Sequence, residues 1–420
     1  MEKKKAFVFV PHQDDEINLV GNCIDRLIEL YDVYVIFSSI DSDHKMAIIR
    51  RDEAIKSCAI LGVPKDRVLF LNYPDTPNRA KKHYFTDGDT RIIGDIFALL
   101  QKQKPNLIIG TDFDYHSDHK MLSIALESAV GKVVAENHQE YKPLVFKGFC
   151  YETAFCGAKD YFQSKYGECV PLNDLLGNPS YIWANRVSLF GDDKANVIWR
   201  KKAFRALLAH KSQYAILRAD SVLNCDNVFW LRRTDNILLN DRVKISASSG
   251  DASRINDFVV LQTSDLTPLE FSKHDFSKAL WKPDDNDEER CLKIELDRFH
   301  SLNKIVFRGN PSNANKTTVD GEMQIGKVIV PVSEFMPYAR ETALELNGIK
   351  AEYLIIRFKG KVEISEIELF DRECFDCTGY YLETLCKKNG WQKEFFQVGR
   401  LYYFLLCLVC KIKRKILSLI

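Results

Sequence analysis

The longest uninterrupted apolar run of this 420-residue chain, 401–410, has ten residues. As a helix it is about 15 Å long, roughly half the hydrocarbon core of a bilayer, so it cannot span a membrane alone. Nor is there an excess of charge of either sign. Lys and Arg number 59 against 58 Asp and Glu, so no global field draws the chain to nucleic acid. No signal peptide is expected either. "MEKKKAFVFV" opens basic, but its apolar part ends after a few residues and no small-residue cleavage site follows. Cysteine is present, 12 residues in all, without the regular spacing of a disulfide framework. Reduced thiols in a cytoplasmic protein are therefore expected. Two C-x-x-C pairs, Cys374 with Cys377 and Cys407 with Cys410, lie far apart, and the second sits inside the apolar run. Free thiols are the expectation there, not a four-Cys zinc site. Repeats and low-complexity tracts do not occur. What remains is a chain 46% apolar and 28% charged, the profile of a soluble globular protein with length for two domains.

The first 215 residues alternate strand and helix patterns. "AFVFV", "DVYVIFSSI", "RVLFLNYPD", "NLIIGTD" and "PLVFKGFCYE" read as strands. Between them, "INLVGNCIDRLIELY", "DHKMAIIRRDEAIKSCAILGV", "TRIIGDIFALLQKQKP" and "SDHKMLSIALESAV" have apolar residues at helical spacing. Gly62 and Pro64 end the second of these helices. "KANVIWRKKAFRALLAHKSQY" reads as a last long helix. This alternation predicts a Rossmann-like, mainly parallel sheet with helices on both faces, over 1–218. Ligands of such sheets sit beyond the carboxyl ends of the strands. From 219 to 372 the pattern becomes short β-rich runs, among them "NVFWLRR", "RVKISAS", "FVVLQTS", "CLKIELD", "LNKIVFRG", "GKVIVPV", "AEYLIIRFKG" and "VEISEIELFD". Such runs without helices predict an antiparallel β-sandwich. Residues 373–420 are expected to form a short helical tail, apolar and then basic. Lys411, Lys413, Arg414 and Lys415 suit either the interface of an anionic membrane or a helix packed on the protein. A cytoplasmic protein, with this tail available for peripheral contact at the inner face of the membrane, is the expectation.

Two segments concentrate His and Asp, and each follows an expected strand: "PHQDDE" after "AFVFV", and "DYHSDHK" after "NLIIGTD". In a parallel sheet both lie at the same edge, so they can meet although about a hundred residues separate them. Two ligands from the first loop and one from the second make a three-ligand zinc site with a position left for water. A nearby carboxylate outside that set can accept the water's proton. A further His, oriented by a carboxylate, can stabilise an oxyanion or protonate a leaving amine. One His after a strand is ordinarily a loop residue, and "DDE" alone suits a helix N-terminus. The pairing of the two segments is what favours chemistry.

"PHQDDE" resembles the "HPDDE" signature, and "HSDH" the "HPDH" signature, of the LmbE-like, PIG-L-type zinc de-N-acetylases. "RRDEAIKSCAILGV" is similar to the family's "R-x-x-E" helix, and "AHKSQY" to its "H-x-S-Q" element. The resemblance spans about residues 5–215. It implies removal of acetyl groups from N-acetylated amino sugars such as N-acetylglucosamine, in glycans or glycolipids. It implies a Zn2+ ion, or another divalent metal such as Fe2+, on His12, Asp15 and His119. Asp14 is then the general base, His116 the imidazole that stabilises the tetrahedral intermediate, and Asp118 the carboxylate that orients it. Arg50, or Arg51 in a loose register, is the candidate substrate contact, with a solvated helix face as the plain alternative. Glu53 and His210 are expected to be structural. Gln13 and Ser117 stand where the signatures have Pro, which predicts a more flexible loop. His44, His83, His138, His274 and His300 have no acidic partner at ligand spacing and are expected to be ordinary residues. Glu16 has no assigned role beyond that of a helix-start acid.

In the second domain, "LWKPDDNDEERCLKIELDRFHSLNKIVFRG" with "YLIIRFKG" and "ISEIELF" resembles the factor 5/8 type C, discoidin-like galactose-binding sandwich. That implies a carbohydrate or lipid-head-group ligand, a purely structural sandwich being the alternative. The function that follows is N-deacetylation of an amino sugar in polysaccharide or cell-envelope biosynthesis. The rival is a non-catalytic carbohydrate-binding or scaffold protein with a relict metal site.

Overall fold

The computed structural model describes residues 3–75, 91–112, 117–138, 140–148, 150, 187–188, 202–215, 228–261, 280–310, 317–338, 341–376, 387–388, 408 and 412. Its first unit is an eight-stranded sheet. Strands β1 (Lys4–Val10), β2 (Tyr31–Ile40), β3 (Val68–Pro74), β4 (Leu107–Thr111) and β5 (Leu144–Gly148) pair in parallel, in the order β5-β4-β1-β2-β3. The alternating side chains of β1 enter two separate cores. Ala6, Val8 and Val10 join one, and Phe7 and Phe9 the other. A strand buried on both faces needs apolar residues at every position, which is why "AFVFV" shows no polar alternation.

Helix α1 (Asp15–Val20) and helix α2 (Ile24–Leu30) replace the single expected helix. Gly21 and Asn22, both poor helix formers, fall at the break, where the Gly21 N–H still bonds Ile17 O and the Cys23 N–H turns to Val20 O. Helix α3 (His44–Leu61) starts at Asp43, whose carboxylate accepts from Lys45 N and Met46 N. It ends at Gly62, which adopts φ 97°, a left-handed cap that glycine takes without a Cβ penalty. Helix α4 (Arg91–Gln103) and helix α5 (Ser117–Glu136) pack together on the other face, through Ile92, Ile96 and Leu100 against Leu122, Leu126 and Val133.

Beyond β5 the sheet turns antiparallel, through β6 (Val187–Ser188) and β7 (Val228–Arg232), with the two-residue strand β14 (Lys387–Lys388) on β6. Here the structure corrects the sequence expectation. "NVFWLRR", expected as the first run of the sandwich, pairs over Val228–Arg232 with β5 in the first sheet. Alternation tells that a run is a strand and not which sheet it joins. Of the last long helix, 202–207 are helical, and the preceding residues lie outside the described ones, as does most of the tail.

The second unit is all-antiparallel: β8 (Lys244–Ala247), β9 (Cys291–Gly309), β10 (Val319–Ile325), β11 (Val328–Phe335), β12 (Thr342–Phe358) and β13 (Ile364–Phe370), in the order β11-β10-β12-β9-β13 with β8 on β9. "CLKIELD" and "LNKIVFRG", expected as two strands, are one bent strand, β9. Its buried positions run Leu292, Ile294, Leu296 and Leu302, then change phase to Ile305 and Phe307. That change accompanies the register shifts against β12. Strand β10 escaped the sequence reading because Asp320, Gly321 and Glu322 dilute its β signal. "FVVLQTS" is not a strand over its described part. The Phe258 and Val260 N–H groups donate to the carboxylates of Glu366 and Glu127 instead of to a neighbouring strand. Trp281, Phe307, Phe335 and Phe358 fill the core.

The two units meet through buried charge. Arg232 on β7 stands 3.5 Å from Glu127 of α5 and 3.3 Å from Glu368 of β13. Among the described residues no helix is long and apolar enough to cross a membrane, and Cys23, Cys58, Cys150, Cys291 and Cys374 are free thiols.

Candidate active site

Strands β1 and β4 lie side by side, Phe9 opposite Gly110. β1 connects onward to β2 on one side while β4 and β5 continue the sheet on the other, so strand order reverses between them. A crevice at the carboxyl ends of the strands opens at such a point. The "HQDDE" segment fills the end of β1, and the first turn of α5, after β4, supplies Asp118 and His119.

There the structure brings His12, Asp15 and His119 together, all buried. His12 Nδ1 is 3.1 Å from Asp15 Oδ2, His119 Nε2 is 3.2 Å from the same oxygen, and the two ring nitrogens are 3.3 Å apart. Three donors on one tetrahedral ion, with bonds of about 2.0–2.1 Å, stand about 3.3 Å from one another. The measured triangle fits that spacing. Asp15 Oδ1 is buried without a hydrogen-bond partner, a second mark of a carboxylate placed for a cation. Without an ion, protons balance the cluster. Burial pulls the His12 imidazole down, but Asp118, Asp15 and Asp75 more than reverse this and hold it well above its ordinary value. Burial raises Asp15, and His119 and His12 outweigh it and hold the carboxyl well below the usual range. A metal binding here displaces those protons.

The far side of the His12 ring is fixed as well. Nε2 is 3.0 Å from Asp118 Oδ2 and 3.2 Å from Asp75 Oδ1. Asp118 thus lies against His12. Residues 113–116, His116 among them, fall outside the described residues. Asp75 went unnoticed in the sequence, although it ends "NYPD" at the carboxyl end of β3, the same sheet edge that marked the other two loops. Burial pushes its carboxyl up, partly offset by His12.

Of the two arginines, Arg50 is the one that lies at the cluster. It is buried, donating from Nη2 to Gln13 O at 3.3 Å, with Nη1 3.5 Å from Asp41 and 3.7 Å from Asp75. Its Nε has no hydrogen-bond partner. Arg51 faces outward over the Phe70 ring. The Gln13 amide donates to Ser39 O at 2.6 Å, so the residue in the Pro position ties the loop to β2 instead of loosening it. Glu53 accepts from Ser212 N and Oγ at 2.9 and 2.6 Å, as expected of a packing residue. His138 and His300 each pair with one carboxylate, Asp241 and Asp297, away from the cluster.

Asp14 has φ 130° and ψ −18°. A non-glycine residue held there costs on the order of 1–3 kcal/mol and persists where the surroundings over-determine it. Its N–H donates to Glu16 Oε2 at 2.9 Å. Glu16 Oε1 accepts from Ser57 Oγ at 2.5 Å and stands 2.7 Å from His210 Nε2. Burial lowers the His210 pKa, and the Glu16 charge reverses the balance and raises it.

The sequence of residues 7–130 matches the family described as GlcNAc-PI de-N-acetylase, PIG-L. Residues 7–130 are thus PIG-L/LmbE-like in sequence. Among solved structures, the chain is similar to an N,N'-diacetylchitobiose deacetylase from Pyrococcus horikoshii, at 17% identity over 55% of this chain and 84% of that one, TM-score 0.36. It is also similar to a deacetylase of the teicoplanin biosynthesis pathway, at 14% identity over 54% and 97%, TM-score 0.37. A third similar structure is a family 32 CBM from C. perfringens NanJ in complex with galactose, at 15% identity over 30% and 93%, TM-score 0.22. The matched span includes His12, Asp15 and His119, whereas His210 and Ser212, which bond Glu16 and Glu53, lie beyond it.

Proposed function

We propose that this chain is a zinc-dependent hydrolase that removes the N-acetyl group of an N-acetylated amino sugar, borne by a glycan or glycolipid. The observation that carries the reading is the buried triangle of His12 Nδ1, Asp15 Oδ2 and His119 Nε2, with sides of 3.1–3.3 Å, inside a PIG-L-type domain. The sugar follows the family's description and the class of substrate it names.

His12, Asp15 and His119 would hold the divalent ion, which when bound would polarise the acetamide carbonyl and make water a nucleophile at neutral pH. Asp14 takes the proton of the attacking water. His116 donates to the carbonyl oxygen as negative charge gathers there, and then supplies the proton that the departing amine needs. A C–O bond forms, the C–N bond breaks, and acetate and the free amine leave. Asp118 and Asp75 fix the His12 ring from its Nε2 side, which sets the nitrogen presented to the ion. Arg50, with its buried unpartnered Nε, is assigned to a substrate oxygen. We assign residues up to strand β7 to the hydrolase unit and those from about 234 to 372 to a β-sandwich that holds a large or lipid-linked glycan, with the basic tail beside a membrane surface.

The test is acetate release from the zinc-loaded full chain, offered free N-acetylglucosamine and lipid-linked or polymeric forms. Asp14→Asn should lower kcat by about 10²–10⁴-fold with metal still bound. Undiminished turnover in that variant overturns the mechanism. Equal turnover of the free sugar overturns the large-substrate part.

A further inference from the structure

We propose that Glu16 and His210 form a positioning pair that aims Asp14, an inference that rests on the deacetylase reading and deepens it. Three consecutive acids are buried at this turn, Asp14, Asp15 and Glu16. Asp15 belongs to the metal triangle, and Asp14 is the proposed base. Glu16 touches neither triangle imidazole, yet its side chain is fully buried and both its oxygens are used.

Its Oε2 accepts the Asp14 N–H at 2.9 Å. On the other side of the same residue, Asp14 O accepts the Ile17 N–H at 3.3 Å. Both peptide planes flanking Asp14 are thus anchored. With both planes set, φ is set, and the Cα–Cβ bond has one direction. That direction is the one belonging to φ 130°, which aspartate rarely adopts. Without the acceptor at Glu16, the preceding plane is released, φ returns to the negative region, and the carboxylate swings with Cβ.

His210 and Ser57 keep that acceptor in place. They meet Oε1 at 2.7 and 2.5 Å, from a segment and a helix remote in sequence. A carboxylate buried to this degree needs such partners. His210 lies beyond residues 7–130, in the "AHKSQY" element, and the geometry gives that element a link to Asp14 through Glu16.

The experiment compares wild type, Glu16→Leu, Glu16→Gln and His210→Gln, each loaded with cobalt. The visible spectrum of the cobalt reports the ligand triangle, and acetate release gives kcat and KM. Glu16→Leu should keep the cobalt spectrum and KM within about threefold, while kcat falls about 10²-fold, the lower range for losing a general base. Glu16→Gln should recover kcat to within about fivefold of wild type, because its amide keeps an oxygen for the Asp14 N–H and offers an NH₂ to His210. His210→Gln should fall about tenfold in kcat, with KM unchanged. Overturning results are a kcat within about twofold of wild type in Glu16→Leu, or loss of the cobalt spectrum in step with activity, which marks a merely structural pair. If Glu16→Leu does not fold, His210→Gln and Glu16→Gln decide: equal kcat in both overturns the proposal. A wild type that binds cobalt and releases no acetate overturns the deacetylase reading and this inference together. An active wild type with unaltered variants overturns the inference alone.

Discussion

Asp118→Asn separates two roles for one carboxylate. The sequence signature places Asp118 beside His116, and the structure places its Oδ2 3.0 Å from His12 Nε2. If it holds the ligating ring, its loss weakens the metal. Partners of this kind contribute 10–100-fold in metal affinity, about 1.4–2.8 kcal/mol. The structure narrows the range. Asparagine keeps an oxygen for the Nε2–H and gives up only the charge. A second acceptor, Asp75 Oδ1, stands 3.2 Å from the same nitrogen and can take over the single N–H. Asp75 is 24% exposed, so its charge is partly screened and replaces Asp118 incompletely. The single variant is therefore expected to lose about tenfold in Zn2+ affinity, and Asp75→Asn with Asp118→Asn about a hundredfold. Competition against a chromophoric chelator at fixed pH measures both, with circular dichroism to confirm the fold. Affinities within about twofold of wild type in single and double variants refute the argument. A fall in kcat at unchanged affinity returns Asp118 to His116.

The contact between the two units should titrate. Burial lifts the Glu366 carboxyl well above its ordinary value and lifts Asp257 to about 8. Acids raised on folding favour the protonated native state, so their contribution is complete below the unfolded value near 4 and fades as pH rises toward 8. Urea midpoints of wild type should fall across that window relative to Glu366→Gln, and parallel curves refute the assignment. Gly62→Ala places a Cβ at φ 97°, 2.7 Å from Ile28 Cδ1, and should cost about 1–2 kcal/mol in unfolding free energy. No change in the urea midpoint refutes a strained cap.

The site was legible because its two halves follow strands whose apolar runs are unmistakable, and a parallel sheet sends their ends to one edge. That rule and the donor chemistry pointed to the two loops, and the resemblance to the de-N-acetylase signatures is what singled out His12, Asp15 and His119 within them. Asp75 carries no signature, and a single acid after a strand is an ordinary loop residue until the fold puts it against a ligand. Glu16 was opaque for a different reason: its partners, Ser57 and His210, come from a helix and a segment that no local pattern links to it. In the second unit, β strength marked most strands but not their joins. A bend such as that of β9 changes which face is buried without interrupting the chain, so one strand looks like two. Val228–Arg232 shows the same limit, since a β-rich run reads alike whichever sheet it joins.

The assembly of the first unit has an order imposed by synthesis. A nascent chain can gather His12, Asp15 and His119 once α5 has left the ribosome. Glu16 then waits, buried among acids, until the segment carrying His210 follows. Strand β7 comes later still, and only then is the open edge of β5 closed over Leu144 and Phe146. In the interval the chain presents a free parallel-strand edge, while Glu16 has only the Asp14 N–H and Ser57 Oγ as partners. Metal taken up at that stage would fasten the early triangle and leave less of the chain unfolded while the rest emerges.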